Sequence, residues 1–165
     1  MDDQSSIGNP KPRRREATPA QRALALLVRR EHSKSELTRK LLARGITTGD
    51  AAAAVAKMAE AGWQDDVRFA CAIARTRANA GYGPLRIRAE LASHGLGSET
   101  IAHAFTALAD AGDDDWAGRA RTLARRRFDL DRATLTVQRK AADFLLRRGY
   151  DSDSVRAAIC SMPCE

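Results

Sequence analysis

The sequence predicts an all-α protein made of three tandem three-helix units, joined into an elongated array with room to curve. Three observations carry this. No stretch alternates apolar and polar residues as a strand would, and only eight of 165 residues are aromatic. Helix-start signals recur along the chain: a hydroxyl or carboxylate residue stands just ahead of most of the apolar-periodic stretches. And one pattern repeats around Gly45, Gly95 and Gly149. Leucine stands four residues before each glycine (Leu41, Leu91, Leu145), and a bulky apolar residue follows it (Ile46, Leu96, Tyr150). A hydroxyl comes three after (Thr48, Ser98, Ser152), and Ala54-Val55, Ala104-Phe105 and Ala158-Ile159 come nine and ten after. A glycine just past a helix end takes the left-handed backbone with least strain, the next apolar residue packs back, and the hydroxyl is expected to cap the following helix.

In chain order, residues 1–17 are polar, carry Arg13, Arg14 and Arg15, and show no apolar periodicity, so a disordered basic arm is expected. The first unit spans 18–62. Thr18-Pro19-Ala20-Gln21 opens its first helix with a cap, a proline at the first helical position and a capping-box glutamine. Leu24, Leu27 and Val28 form the expected apolar stripe. Ser33 to Glu36 repeats the capping-box spacing and starts a second helix with Leu37, Leu41 and Leu42 on one face, ended by Gly45. An alanine-rich third helix is expected over about 48–61. The second unit, 63–112, opens on Trp63, expected to be a buried anchor between the first two units. A helix from about 66 to 80 is followed by the hinge Gly81-Tyr82-Gly83-Pro84, in which Tyr82 is given a structural role. The third unit, 113–165, begins with a helix over about 116–128.

Charge narrows the function classes. The net charge is +7 and the pI near 9.9, which favours an acidic partner such as nucleic acid or an acidic protein groove. Between Asp66 and Glu90 stand Arg68, Arg75, Arg77, Arg86 and Arg88, with no carboxylate among them. Arg86 and Arg88 lie at a helix start, where the dipole disfavours cations, so their charge points to a partner and not to folding. A second basic group comprises Arg125, Arg126, Arg127, Arg147 and Arg148.

Enzyme readings find little support. There is no G-x-x-x-x-G-K-[ST] loop, and Gly95-Leu96-Gly97 lacks the third glycine of a dinucleotide fingerprint, with Thr100 in its place. His32, His94 and His103 are isolated, and Asp65-Asp66 and Asp113-Asp114-Asp115 precede helices, where carboxylates suit the dipole. Cys160 and Cys164 have a metal-compatible spacing, but Pro163 intervenes and no histidine is near, so neither metal nor cofactor is expected. Three cysteines and the lack of a secretory pattern or long apolar run lead to the expectation of a cytoplasmic, non-membrane protein with free thiols. A helix-turn-helix DNA reader is the alternative, although threefold repetition of cap, turn and core slots argues against a single recognition helix.

Gly62-Trp63-Gln64-Asp65-Asp66, Arg68-Phe69-Ala70, Gly81-Tyr82-Gly83-Pro84, Arg86-Ile87-Arg88 and Glu90-Leu91 with Gly95 resemble the central signature of the RecX regulatory proteins, bacterial modulators of the RecA recombinase. Ser35-Glu36-Leu37 with Lys40-Leu41-Leu42 resembles that family's first repeat, and Phe144-Leu145 with Arg147-Arg148-Gly149-Tyr150 its last. Gln64, where an aliphatic residue is common, and the alanine-rich third helix depart from the pattern. The resemblance implies a non-enzymatic inhibitor that binds RecA–DNA filaments and suppresses RecA ATPase, recombinase and coprotease activities, within DNA repair and the SOS response. It implies as partners the RecA filament and, weakly and without sequence preference, single- and double-stranded DNA. A monomer is expected.

Overall fold

The computed structural model describes residues 16–130 and 132–160. Of the arm expected at 1–17, residues 1–15 lie outside them, as do Pro163 and Cys164. Among the described residues nine helices and no strand are present: α1 (Pro19–Leu27), α2 (Lys34–Leu42), α3 (Thr48–Glu60), α4 (Asp66–Asn79), α5 (Pro84–Ser93), α6 (Ser98–Asp110), α7 (Trp116–Arg125), α8 (Leu135–Arg147) and α9 (Ser152–Ile159). They group in threes, and in each group the first and third helices pack most extensively.

Each unit closes its own core around the repeated slots. Leu41, Leu91 and Leu145 are fully buried, and Ala54, Ala104 and Ala158 lie against them in three separate apolar clusters. Small alanines allow the first and third helices to approach closely, so these units need little aromatic bulk. The glycines behave as the pattern requires: Gly45, Gly95 and Gly149 have φ of 79°, 76° and 87°. After Gly149 the Tyr150 amide donates back to the Leu145 carbonyl at 3.2 Å, and the Tyr150 ring is fully buried.

Several expectations are corrected. The residues in the extended cap conformation are Thr47, Gly97 and Asp151, one position ahead of Thr48, Ser98 and Ser152, because the turn from the glycine needs only two residues before the helix begins. Thr18 and Gln21 do form a reciprocal capping box, whereas Glu36 leaves the Ser33 amide and pairs with Arg30 and Lys40. In α1 the buried residues are Ala23 and Leu26, with Leu24 and Leu27 partly covered and Val28 exposed; Leu42 is also exposed. Trp63 is 54% exposed and anchors nothing. Trp116 takes the part assigned to it, packing against the cores of both the second and third units, 6.0 Å from the Phe105 ring.

The units are joined by one contact used twice. The turn between the second and third helices of one unit sits on the amino terminus of the second helix of the unit before it. At the second junction, Gly83 N–H donates to the Arg148 carbonyl at 2.8 Å and Leu85 N–H to the Gly149 carbonyl at 3.0 Å. Gly83 caps α5 without a side chain, so the neighbouring turn satisfies an amide that its own sequence leaves orphaned. At the first junction, Ser33 Oγ donates to the His94 carbonyl at 3.1 Å, and His94 precedes Gly95 as Arg148 precedes Gly149. Polar bridges add to it: Asp66 accepts from Lys34 N–H, Gln64 donates to the His32 carbonyl, and Arg68 pairs with Glu31. This is why an amide stands at 64, where it is 2% exposed: an aliphatic side chain could not reach that carbonyl as a donor.

His32 lies beside this junction, almost wholly buried. Its Nδ1 faces the Arg30 carbonyl at 2.9 Å and its Nε2 faces Lys40 Nζ at 3.1 Å, which defines a neutral ring that donates at one nitrogen and accepts at the other. Burial lowers its pKa, aided by Arg30 and Lys40 and opposed by the Arg30 carbonyl and Glu36.

Three outcomes follow from these contacts. Gly45 and Gly149 share a positive φ, but a Cβ at Gly45 would meet nothing within 4 Å, whereas one at Gly149 would lie 2.6 Å from the Arg86 backbone nitrogen. Gly45→Ala should therefore cost about 1 kcal/mol and Gly149→Ala at least about 2 kcal/mol more, read from urea denaturation. Trp116→Ala should cost about 3 kcal/mol and Trp63→Ala within about 0.5 kcal/mol of nothing. Because the folded-state pKa of His32 is lowered from 6.5, the unfolded chain takes up the proton first, and stability should fall as pH drops below 6.5. Replacing His32 by Asn should flatten that part of a stability-against-pH curve.

Candidate nucleic-acid interface

The site grows out of the second junction. α4 ends at Asn79, and Gly81, with φ of 79°, turns the chain so that Tyr82 N–H donates back to the Arg77 carbonyl at 3.0 Å. This seats the half-buried Tyr82 ring at the edge of the second core. Arg86, one turn into α5, places its guanidinium 4.9 Å from the ring centre. Arg148 arrives from the third unit at 5.1 Å, held there because its carbonyl and that of Gly149 are bonded to α5. Arg148 also donates to the Ala80 carbonyl at 3.3 Å and lies 5.4 Å from the Phe144 ring, over which Arg127 sits at 4.9 Å. Phe144 is in turn braced edge-on by Phe128 at 5.8 Å.

Arg86, Tyr82, Arg148, Phe144 and Arg127 thus form a ladder of alternating cations and rings across the junction. A guanidinium stacked on an aromatic face keeps its N–H edge for oxygen acceptors, and stacking holds it in place before a ligand arrives. Phosphate oxygens suit that edge in charge and geometry.

The other arginines singled out by sequence divide into two groups. Arg77 is fixed to Glu90 by two hydrogen bonds of 2.7 Å; Arg77's hydrogen bonds hold the Glu90 carboxyl below its ordinary range, while the same pairing raises Arg77. It lies 6.0 Å from the Tyr82 ring and supports the ladder while its charge is spent. Arg68 is likewise engaged, with Glu31 and with the Gly62 and Trp63 carbonyls. Arg88 lies 3.9 Å over the Phe105 ring, which shows how a cation at a helix start finds a partner within its own unit. Arg75, Arg125, Arg126 and Arg147 are exposed; Arg147 lines a shallow groove with Lys140 and Phe144 beside the ladder. Phe144 and Glu90 join the site without standing out in the charge pattern; the signal for Phe144 is its stretch, shared with Arg147-Arg148-Gly149, whereas Glu90 is marked only by its distance to Arg77 in the fold.

Among the described residues no group of three or more His, Cys, Asp or Glu side chains could hold a metal ion, and no helix is long and apolar enough to cross a membrane. His94 packs edge-on against Phe69 at 5.0 Å, a core contact.

Three three-helix units joined head to tail, with a cation–ring ladder over the second joint, define a modular all-helical repeat protein. Comparison with known proteins makes the class specific. Family models described as the first, second and third three-helix domains of RecX match residues 21–58, 65–104 and 113–159. A Regulatory protein RecX of Stenotrophomonas maltophilia (strain R551-3) is 58% identical over 160 residues, 96% of each chain, and one of Xanthomonas axonopodis pv. citri (strain 306) is 55% identical over 159 residues, again 96% of each. The crystal structure of RecX from Lactobacillus salivarius shares the fold at a TM-score of 0.72 and 21% identity, covering 86% of this chain and 92% of that one. The chain belongs to the RecX family of regulatory proteins.

The outer arginines of the ladder can be removed without touching a core. The double substitution Arg86→Ala and Arg127→Ala should leave helicity unchanged and weaken binding to single-stranded DNA by about tenfold at moderate salt. It should also lower the slope of log affinity against log salt by about 1.4, roughly 0.7 per lost phosphate contact. Fluorescence anisotropy across a salt series reads both.

Proposed function

We propose that this chain is a non-enzymatic regulator that binds RecA–DNA filaments and inhibits RecA's ATPase, recombinase and coprotease activities. The observation that carries the reading, beyond family membership, is the ladder at the second junction. It presents stacked guanidiniums from two units at once, as a backbone-tracking contact needs, and it contains no base-reading helix. Binding to DNA is therefore weak, salt-sensitive and independent of sequence. Tandem units, each with its own core, also suit a helical filament: an array can follow a groove and touch protein and phosphate along it, where a single globule could not.

The test is a titration into preformed RecA–single-stranded-DNA filaments while ATP hydrolysis is followed. Hydrolysis should slow progressively, the Arg86→Ala and Arg127→Ala variant should need several-fold more protein, and the chain alone should hydrolyse no ATP. Unchanged hydrolysis at several-fold excess over filament sites would sink the reading. Binding to one preferred duplex sequence, with no effect on filaments, would favour the helix-turn-helix alternative.

A further inference from the structure

The three units carry the same slots but do not close the same surfaces. In the second unit the groove between α5 and α6 is covered: Arg88 lies 3.9 Å over Phe105, and Trp116, the first residue of α7, packs beside that ring at 6.0 Å. Counting from the repeated glycines, Ala142 stands in the third unit where Arg88 stands in the second, and Ile159 where Phe105 stands. Among the described residues the groove between α8 and α9 therefore lies open, with Ala142 and Ile159 at its floor and the exposed Leu135 and Leu146 along its wall. Two charges are added at the same time. Arg139 and Arg156 occupy the slots of Leu85 and Ala102 and line this groove.

This surface is separate from the ladder. At 100° per residue, Leu135, Ala142 and Leu146 face one side of α8, and Lys140, Phe144 and Arg147 face the opposite side. The two grooves share no lining residue.

The chain itself shows what sits beside such a surface. In the second unit the ring beside Phe105 is Trp116, which opens α7 directly after Asp113-Asp114-Asp115, with Asp113 paired to Arg119 and Asp115 capping α7; the aromatic anchor is thus shown by the chain, and the demand for carboxylates comes from Arg139 and Arg156. We propose that the α8–α9 groove docks an acidic amphipathic segment of a partner protein, whose apolar or aromatic anchor enters between Leu135, Leu146 and Ile159 while its carboxylates meet Arg139 and Arg156. An open apolar trough with cations on its rim is the arrangement that receives an amphipathic helix. The assignment goes beyond the RecA reading, since it defines a protein-binding face by its chemistry and needs no particular partner.

The test uses the isotope-labelled full chain and a short synthetic helical peptide with one tryptophan flanked by aspartates and glutamates, beside a twin with lysines in their place. The acidic peptide should bind saturably and shift the amide signals of Leu135, Ala142, Leu146 and Ile159, and the lysine twin should not. Ala142→Arg, which installs the side chain that covers the second unit's groove, should weaken binding at least about tenfold. Arg139→Glu, an exposed change that leaves the core alone, should do the same. Absence of saturable binding, equal binding of the twin, shifts confined to other helices, or undiminished binding by a folded Ala142→Arg chain would each overturn the proposal. So would a concentration-dependent dimer in sedimentation that Leu146→Glu dissolves, because a second copy would then be the occupant. Inhibition of RecA is measured separately, so loss of that activity reading leaves the peptide result standing.

Discussion

The structure depends on a backbone meeting between units: the turn after the second helix of one unit against the first turn of the second helix of the unit before. At Gly83 and Gly149 the approach is so close that a Cβ on Gly83 would stand 2.3 Å from the Gly149 carbonyl. Only glycine fits on either side, and the reward is that α5 receives a carbonyl for an amide no side chain caps. The contact is heterologous, with different surfaces meeting, so its repetition generates an array and not a closed pair. The first junction uses the same geometry with softer means, a serine hydroxyl on the His94 carbonyl and a glycine whose Cβ would lie 3.2 Å from the Ser35 side chain.

The ladder is a consequence of that meeting. Once the Arg148 carbonyl is tied to Gly83, its side chain has the Tyr82 ring within reach on one side and Phe144 on the other. The hinge Gly81-Tyr82-Gly83-Pro84 thereby does two things. Its glycines allow the turn and the close approach, and its tyrosine becomes the rung shared by two units. Arginines that look equivalent in the sequence are sorted by this geometry: Arg77 and Arg68 are paired with Glu90 and Glu31, while Arg86 and Arg127 lie over the Tyr82 and Phe144 rings. A basic run is therefore a poor guide to a basic surface until its carboxylate partners, thirteen and thirty-seven residues away, are placed.

The tryptophans teach the same lesson with apolar groups. Trp63 and Trp116 both precede or open the first helix of a unit, and either could have been the buried joint. Trp116 faces Phe105 and enters two cores; Trp63 has Gln64 beside it, which turns inward to bond the His32 carbonyl and leaves the indole outside. The first junction is thus polar and the second aromatic, although the repeat that builds them is one pattern.

Local physics, acting within a few residues, was enough for the sequence to determine the helical class, the threefold repeat, the glycine stops and the leucines at the centre of each core. Left-handed glycines, capping residues and helical periodicity act through neighbours three or four positions away, so they can be read without knowing the fold. The tertiary structure alone decided which cap position is used after each glycine, which tryptophan is buried, which arginines are paired with carboxylates, and that the α8–α9 groove stays open where the α5–α6 groove is covered. Each of those outcomes turns on an approach between residues dozens of positions apart, set by how one unit's turn seats on the next, and a distance of that kind leaves no periodic trace in the chain.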